Sequence, residues 1–431
     1  MPTIDELQQL QALPLAVKIR KTEQRIKEWV DRWGEDGVYV SFSGGKDSTV
    51  LLDIARKLYP NLKAMFVDVP TQYIELRDFV NTYENVDIVK PKISFIEVCE
   101  KYGFPLISKE VSECVQGARK YLTSIMESEG LTDRQTDSLI HTSIAKSQDK
   151  ASILNEVFPS VDNHAIADFT RGGTITSIEN SEELASILND RMKNYKGGNE
   201  QRLVKILGML TKDKDNPIKA NIPKSDKSNF SQEKYKFMLE APFEISNKCC
   251  DVMKKAPSHN YERQTSRKPI IATMAEESRL RTQKWLQQGC NAFDSGKPSS
   301  KPMSFWTEQD VLLYIKLNNL PICSVYGEVV KDYESMGQLE GQISIGELLG
   351  ASELEIFELD KPILKTTGCS RTGCMLCGFG CHLEKSPSRF EQLKETHPKM
   401  YALLDIVKNN GVTMREAIDW INKNGNMDIK Y

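Results

Sequence analysis

Nowhere in the 431 residues does an apolar run approach the ~18 residues that a membrane-spanning helix needs. The opening residues, Met1-Pro2-Thr3-Ile4-Asp5-Glu6, lack the basic stretch and apolar core of a secretory signal. Charge of one sign is missing as well. The 57 Lys and Arg against 60 Asp and Glu leave a formal net charge of −3, so the chain as a whole attracts neither nucleic acid nor anionic membrane. Internal repeats and low-complexity tracts are absent. What remains is a globular composition, 39% hydrophobic and 27% charged, long enough for two or three domains at roughly 100–200 residues each. The expected location is the cytoplasm, with no membrane partner.

A reducing compartment makes the ten cysteines poor material for a disulfide framework and better material for metal binding or redox chemistry. Cys369, Cys374, Cys377 and Cys381 crowd into one short stretch, with Gly368, Gly373, Gly378 and Gly380 supplying backbone freedom. Cys-x-x-Cys lets two sulfurs from one tight turn reach the same ion, and zinc and iron–sulfur both suit such donors. Cys99, Cys114, Cys290 and Cys323 are expected to be unliganded packing residues.

Hydrophobic spacing at Leu15, Ile19, Ile26, Trp29, Val30 and Trp33 predicts an amphipathic helix ending near Gly34. A β-prone run, 37–42, follows. After a Gly-Gly turn, a helix over Thr49-Val50-Leu51-Leu52 extends to about Tyr59, where Pro60 stops it. A second strand, 64–67, ends at Asp68, and 86–89 is a third. Strand, helix, strand in about thirty residues is a βαβ unit, so the fold class is α/β: a mostly parallel, doubly wound sheet. Residues 121–242 are poorer in apolar residues and read as a polar, partly helical insertion. Lys212, Lys214, Lys219, Lys224 and Lys227 there are interrupted by acids, which favours a solvated linker over a phosphate-binding surface. The division expected is therefore 1–120, an N-terminal helix and nucleotide-binding half; 121–242, the insertion; and 243–431, the rest of the α/β domain with a cysteine-rich C-terminal part. A strand at 270–272 with a following helix, a helix opening at Thr307, and closing helices at about 388–408 and 413–423 complete that last part.

The strongest chemical signal is Ser43-Gly44-Gly45-Lys46-Asp47-Ser48. A strand turning through two glycines into a helix gathers backbone N–H groups around one point, and the helix dipole adds partial positive charge. Lys46 contributes a cation, and the Ser43 and Ser48 hydroxyls can donate to phosphate oxygens. The spacing is too short for G-x-x-x-x-G-K-[ST].

This loop, preceded by Val-Tyr-Val-Ser-Phe, resembles the pyrophosphatase loop (PP-loop) of the ATP-pyrophosphatase, or adenine nucleotide alpha hydrolase-like, superfamily. Further residues narrow the resemblance to the phosphoadenosine phosphosulfate (PAPS) reductase-like family. Asp68 ends the second strand, Glu277-Ser278-Arg279-Leu280-Arg281 resembles its E-S-x-x-R segment, and Trp306 through Val311 resembles its W-x-x-x-D-V helix start. Ser370 through Cys377 is similar to the cysteine region of the ATP pyrophosphatase used in DNA phosphorothioation.

The resemblance implies cleavage of ATP at the α-phosphate, activating a substrate for sulfur transfer. Lys46, Asp47 and Ser48 would be catalytic. Ser41, Ser43, Gly44, Gly45, Lys46, Asp47, Ser48, Asp68 and Arg281 would bind nucleotide, and Mg²⁺ would meet Asp47 or Asp68. For Asp47, a carboxylate merely stabilising the helix dipole is the competing role; for Arg279, Arg281 and Arg371, surface salt bridging competes with anion contact. A Cys-Cys pair joined to a distant Cys-x-x-Cys is the pattern of cluster-bearing sulfonucleotide reductases. It points to a [4Fe–4S] cluster on Cys250, Cys369, Cys374 and Cys377, with Cys249 and Cys381 as alternates and zinc as the rival metal. His382 adjoins these residues as a candidate ligand or surface residue, and His397 before Pro398 is expected at a helix terminus. By analogy, the acceptor is a nucleic acid and the sulfur comes from a cysteine-desulfurase-type donor.

Two departures bear on the substrate. The loop is intact, where reductases proper carry a degraded one, and Met274 stands where the family has Arg before E-S. A catalytic cysteine after Cys381 is also missing. These favour ATP over the alternative, a PAPS or APS reductase of sulfate assimilation. A third reading, a nucleotide-sensing or partner-binding protein without turnover, would show ATP binding but no pyrophosphate release.

Overall fold

The computed structural model describes residues 2–128, 202, 232–336 and 362–431. Nearly all of the stretch read as an insertion, with its lysines between 212 and 227, lies outside the described residues. The chain divides into two compact units, Met1–Lys92 with Met253–Cys374, and Ile93–Val252 with Met375–Tyr431. The boundaries read from composition, 120 and 242, both fall inside the second unit.

In chain order the strands are β1 (Val38–Ser41), β2 (Ala64–Val67), β3 (Val86–Val89), β4 (Leu106–Ile107), β5 (Lys268–Ile271), β6 (Asn291–Ala292) and β7 (Ser299–Ser300). The first unit is built on a sheet of order β3-β2-β1-β5-β7-β6. Every pairing in it is parallel except β6 against β7. Alternation along β1 explains why both faces are covered. Val38, Val40 and Phe42 enter the large core with α2 (Leu15–Trp33) and α3 (Lys46–Leu58), while Tyr39 packs the other way against Met65 and Tyr261. The α/β, doubly wound fold is thus present. Helix α2 ends at Trp33 with Gly34 as its cap, as the spacing predicts, whereas α3 starts at Lys46, earlier than Thr49.

The Trp and Asp of the W-x-x-x-D-V stretch turn out to be structural. Trp306 is fully buried, and its indole N–H donates to Thr22 Oγ1 of α2 at 2.8 Å. Thr307 caps the helix Glu308–Leu317 by accepting from the Asp310 amide, and Asp310 caps back. The same carboxylate receives Lys18 Nζ at 2.6 Å, and Lys18 is 2% exposed.

In the second unit, β4 pairs in parallel with a short strand at Gly378–Phe379. The buried Arg119 donates to the carbonyls of Phe243 (3.0 Å), Met238 (2.8 Å) and Ala241 (2.7 Å) and to Glu244 Oε1 (2.7 Å), tying the middle of the helix Lys109–Ser128 to the segment before Ile245. Asn409 is likewise buried and bonds the Cys99 carbonyl at 2.9 Å. Helix Met414–Gly425 closes the chain. The stretch expected as one helix over 388–408 is instead Arg389–Thr396 and Pro398–Tyr401, followed by a 3-10 turn. Pro398 cannot supply an amide to a continuous helix, so His397 ends one and precedes the other. No helix among the described residues is long and apolar enough to cross a membrane.

Lys18 with Asp310 is a buried pair, and truncating one partner strands the other charge away from water. Lys18→Ala is expected to destabilise the protein by about 3 kcal/mol, read as a lowered urea midpoint. Asp310→Asn combined with Lys18→Met should recover part of that loss, because neither charge is then left alone.

Candidate active site

Strand β1 is the point at which the sheet changes direction. The chain runs from it to β2 and β3 on one side, and β5 lies on the other. Ligands of open α/β sheets bind outside the carboxyl ends of strands at such a point, and this is where Ser43–Ser48 lies. Gly44 has φ +72°, and a Cβ there would stand 3.0 Å from Val80 Cγ2, so glycine is required for both conformation and space. Gly45 is the N-cap of α3, without a side chain to cap it.

The loop braces itself with its own hydroxyls. Ser48 Oγ donates to the Gly45 carbonyl at 2.9 Å and accepts from the Ser43 amide at 3.1 Å. Ser43 Oγ lies 3.0 Å from Ser48 Oγ. Ser48 therefore faces inward and holds the loop's shape. Ser41 is the last residue of β1, paired with Met65 and Ile271.

Lys46 is 2% exposed. Its ammonium meets Glu308 Oε1 at 3.0 Å, donates to the Ser370 carbonyl at 2.9 Å, and lies 3.7 Å from Asp47 Oδ1. Its backbone N–H donates to Tyr326 Oη at 3.2 Å, and Tyr326 Oη is 2.8 Å from Thr372 Oγ1. Asp47 Oδ1 is buried without a hydrogen bond. Burial pushes the Asp47 carboxyl above its ordinary value, opposed by the Lys46 charge and reinforced by Glu308. Arg281 pairs with Glu277. Burial lowers its guanidinium, the neighbouring Arg371 charge lowers it further, and Asp47 acts in the opposite sense. Cationic side chains from two separate segments thus share the field of one loop.

Asp68, 5% exposed, is held by Arg77 at 2.6 Å and Lys90 at 3.7 Å. Met274 is buried at the N-cap of a short turn, where its amide donates to Glu277 Oε2 at 3.0 Å. The E-S-x-x-R segment is thereby explained: Glu277 holds the Met274 amide and Arg281, and Ser278 caps the helix Arg279–Gln288.

A family model, the phosphoadenosine phosphosulfate reductase domain, matches residues 37–119 and 204–378, which include the loop, the E-S-x-x-R helix and most of the cysteine stretch. The chain belongs to the phosphoadenosine phosphosulfate reductase domain family. Membership makes it an enzyme of nucleotide-dependent, sulfur-related chemistry. The unmatched interval falls within the polar stretch after residue 119. No curated protein matches the chain.

The cysteines of this family member are divided between the units. In the first, Cys369 Sγ is 3.7 Å from Tyr73 Oη, and Cys374 bridges to Gln72 in antiparallel fashion. In the second are Cys249, Cys250, Cys377 and Cys381. There Arg389 donates to the Cys377 carbonyl at 2.6 Å, and burial pushes the Cys381 thiol up to about 12. Cys249 is buried and Cys250 half-buried. His382 lies 2.9 Å from Tyr235 Oη, and its ring is pushed below the ordinary histidine value, by burial first and then by Lys234. Among the described residues, no three His, Cys, Asp or Glu side chains are gathered closely enough to hold a metal ion. Cys99, Cys114 and Cys323 are buried, and Cys290 is half-buried.

Sequence reasoning overlooked Glu308, Tyr326, Ser370 and Thr372 as neighbours of the loop. Glu308 sat inside a motif valued for its helix start, and Tyr326 carried no local signal.

The raised Asp47 carboxyl has a stability consequence. The folded protein binds this proton more tightly than the unfolded chain, so the associated stability is present at low pH and is lost as pH rises through the raised value. Asp47→Asn should therefore melt above wild type at pH 8, and the difference should close as the pH approaches the ordinary carboxylate value of 3.8. Scanning calorimetry at the two pH values checks it.

Proposed function

We propose that this enzyme cleaves ATP between the α- and β-phosphates, activating an acceptor for sulfur transfer. The observation that carries the proposal is the intact Ser-Gly-Gly-Lys loop at the carboxyl end of β1, with the buried Lys46 ammonium at the start of α3. An oxygen of the acceptor attacks the α-phosphorus, and the bond from that phosphorus to the bridging oxygen breaks. The acceptor is left adenylylated and pyrophosphate leaves. A sulfur nucleophile then attacks the atom that bears the adenylylated oxygen, the bond to that oxygen breaks, and AMP leaves with it. The chain's own part is electrostatic: N–H groups at the start of α3 and the Lys46 ammonium oppose the charge that builds on the departing pyrophosphate. To meet it, Lys46 exchanges Glu308 for phosphate oxygens.

Mg²⁺ suits the hard oxygen donors here. Asp47 Oδ1, buried without a hydrogen bond, fits such an ion better than Asp68, whose carboxylate Arg77 and Lys90 already compensate. When bound, the ion would neutralise phosphate charge. A [4Fe–4S] cluster on Cys250, Cys369, Cys374 and Cys377, or zinc in its place, belongs to the same proposal on the chemistry of the thiolates. Among the described residues these donors are not gathered at one point. A nucleic-acid acceptor and a cysteine-desulfurase-type sulfur donor complete the reading by family analogy. Reduction of PAPS or APS is disfavoured by the buried Met274 in place of the family's arginine.

Anaerobically purified protein should release pyrophosphate from Mg·ATP when an acceptor is supplied, and Lys46→Ala should lower the rate by about 100-fold or more. Absence of release with any acceptor, together with thiol-dependent turnover of PAPS, would replace this reading with the reductase. Metal analysis of the same material should find about four irons per chain, falling in Cys374→Ser. Zinc without iron would make the cysteines a structural clasp.

A further inference from the structure

Resting on the reading that nucleotide phosphates occupy the loop, we propose that Tyr326 and Thr372 form a hydroxyl relay that extends the loop's anion seat, with Thr372 as the group that donates to the pyrophosphate half of the nucleotide. The chain of contacts starts at the helix. The Lys46 amide, one of the N–H groups that α3 cannot satisfy internally, donates to Tyr326 Oη at 3.2 Å. An oxygen that accepts this bond has its own proton to place, and Thr372 Oγ1 is 2.8 Å away. Tyr326 is 2% exposed, packed with Leu76 and Cys323, so the phenol is held in place. Burial pushes the phenol above its ordinary value and keeps the proton on the oxygen. With Tyr326 as the donor of that bond, Thr372 is left with a hydroxyl proton to direct outward, and it is half-buried where Tyr326 is sealed.

Both oxygens border the loop. A Cβ built on Gly45 would stand 3.1 Å from Tyr326 Oη and 3.3 Å from Thr372 Oγ1. The same segment sends the Ser370 carbonyl to the Lys46 ammonium. Donors in series polarise one another, and the helix dipole at the head of the series favours a negative partner at its end. The arrangement also gives glycine at position 45 a second function: any side chain there would separate the relay from the loop.

The test is calorimetric titration of the full-length protein with inorganic pyrophosphate and with Mg·ATP. Thr372→Val should weaken pyrophosphate about tenfold or more, the range for a hydrogen bond to a charged group, while Thr372→Ser, which keeps the hydroxyl, should stay within about twofold. Tyr326→Phe should weaken it as well, and Tyr326→Phe with Thr372→Val should be no worse than the poorer single variant, as members of one chain are not additive. If Lys46→Ala loses binding but Thr372→Val binds like wild type, the relay is wrong and the nucleotide reading stands. Equal losses in Thr372→Val and Thr372→Ser would make position 372 a packing residue and overturn the relay. A wild-type protein without affinity for either anion removes the nucleotide reading, and the relay with it.

Discussion

A lysine ammonium sealed from water is the constraint from which the first unit's chemistry follows. An isolated buried charge is too costly to keep, so Lys46 has to be surrounded by groups that oppose it. Glu308, the Ser370 carbonyl and Asp47 do so, and they come from the start of one helix, from the segment that bears Cys369, and from the loop itself. Recruiting them explains why two distant stretches of chain meet at one strand end. It also explains the shifted carboxyl of Asp47, which shares a poorly hydrated site with Glu308. The arrangement satisfies the buried charge with groups of the chain itself.

The sheet was legible because its signals are local. Val38 to Phe42, a glycine turn and the apolar side of α3 announce a βαβ unit within a few dozen residues. The loop's place was legible for the same reason: its two glycines directly follow a strand and precede a helix. Pairings that rest on remote contacts were not. Tyr326 reaches the loop across 280 positions of sequence, and no periodicity carries that information. Nor could composition reveal that the chain leaves the first unit at Lys92 and re-enters it at Met253, since the residues at that crossing are as polar as those around them.

Trp306 and Asp310 show how a motif can be recognised correctly and understood differently. As a pattern they identified the family. As side chains, one fills the core against α2 and the other caps a helix and neutralises Lys18. Glu277 and Ser278 are similar, holding a turn and capping a helix. The residues facing the chemistry are carried by these anchors.

The pairing of β1 with β5 sets a demand on synthesis. Val38 lies beside Lys268, and at about 5–20 residues per second the second strand leaves the ribosome roughly 10 to 45 s after the first. Throughout that interval the innermost strand of the sheet has one row of amides and carbonyls without its native partner, a template for wrong pairing. The nascent chain therefore depends on whatever shields that edge, whether a chaperone or a transient helix, and slower translation between the two strands would lengthen its exposure.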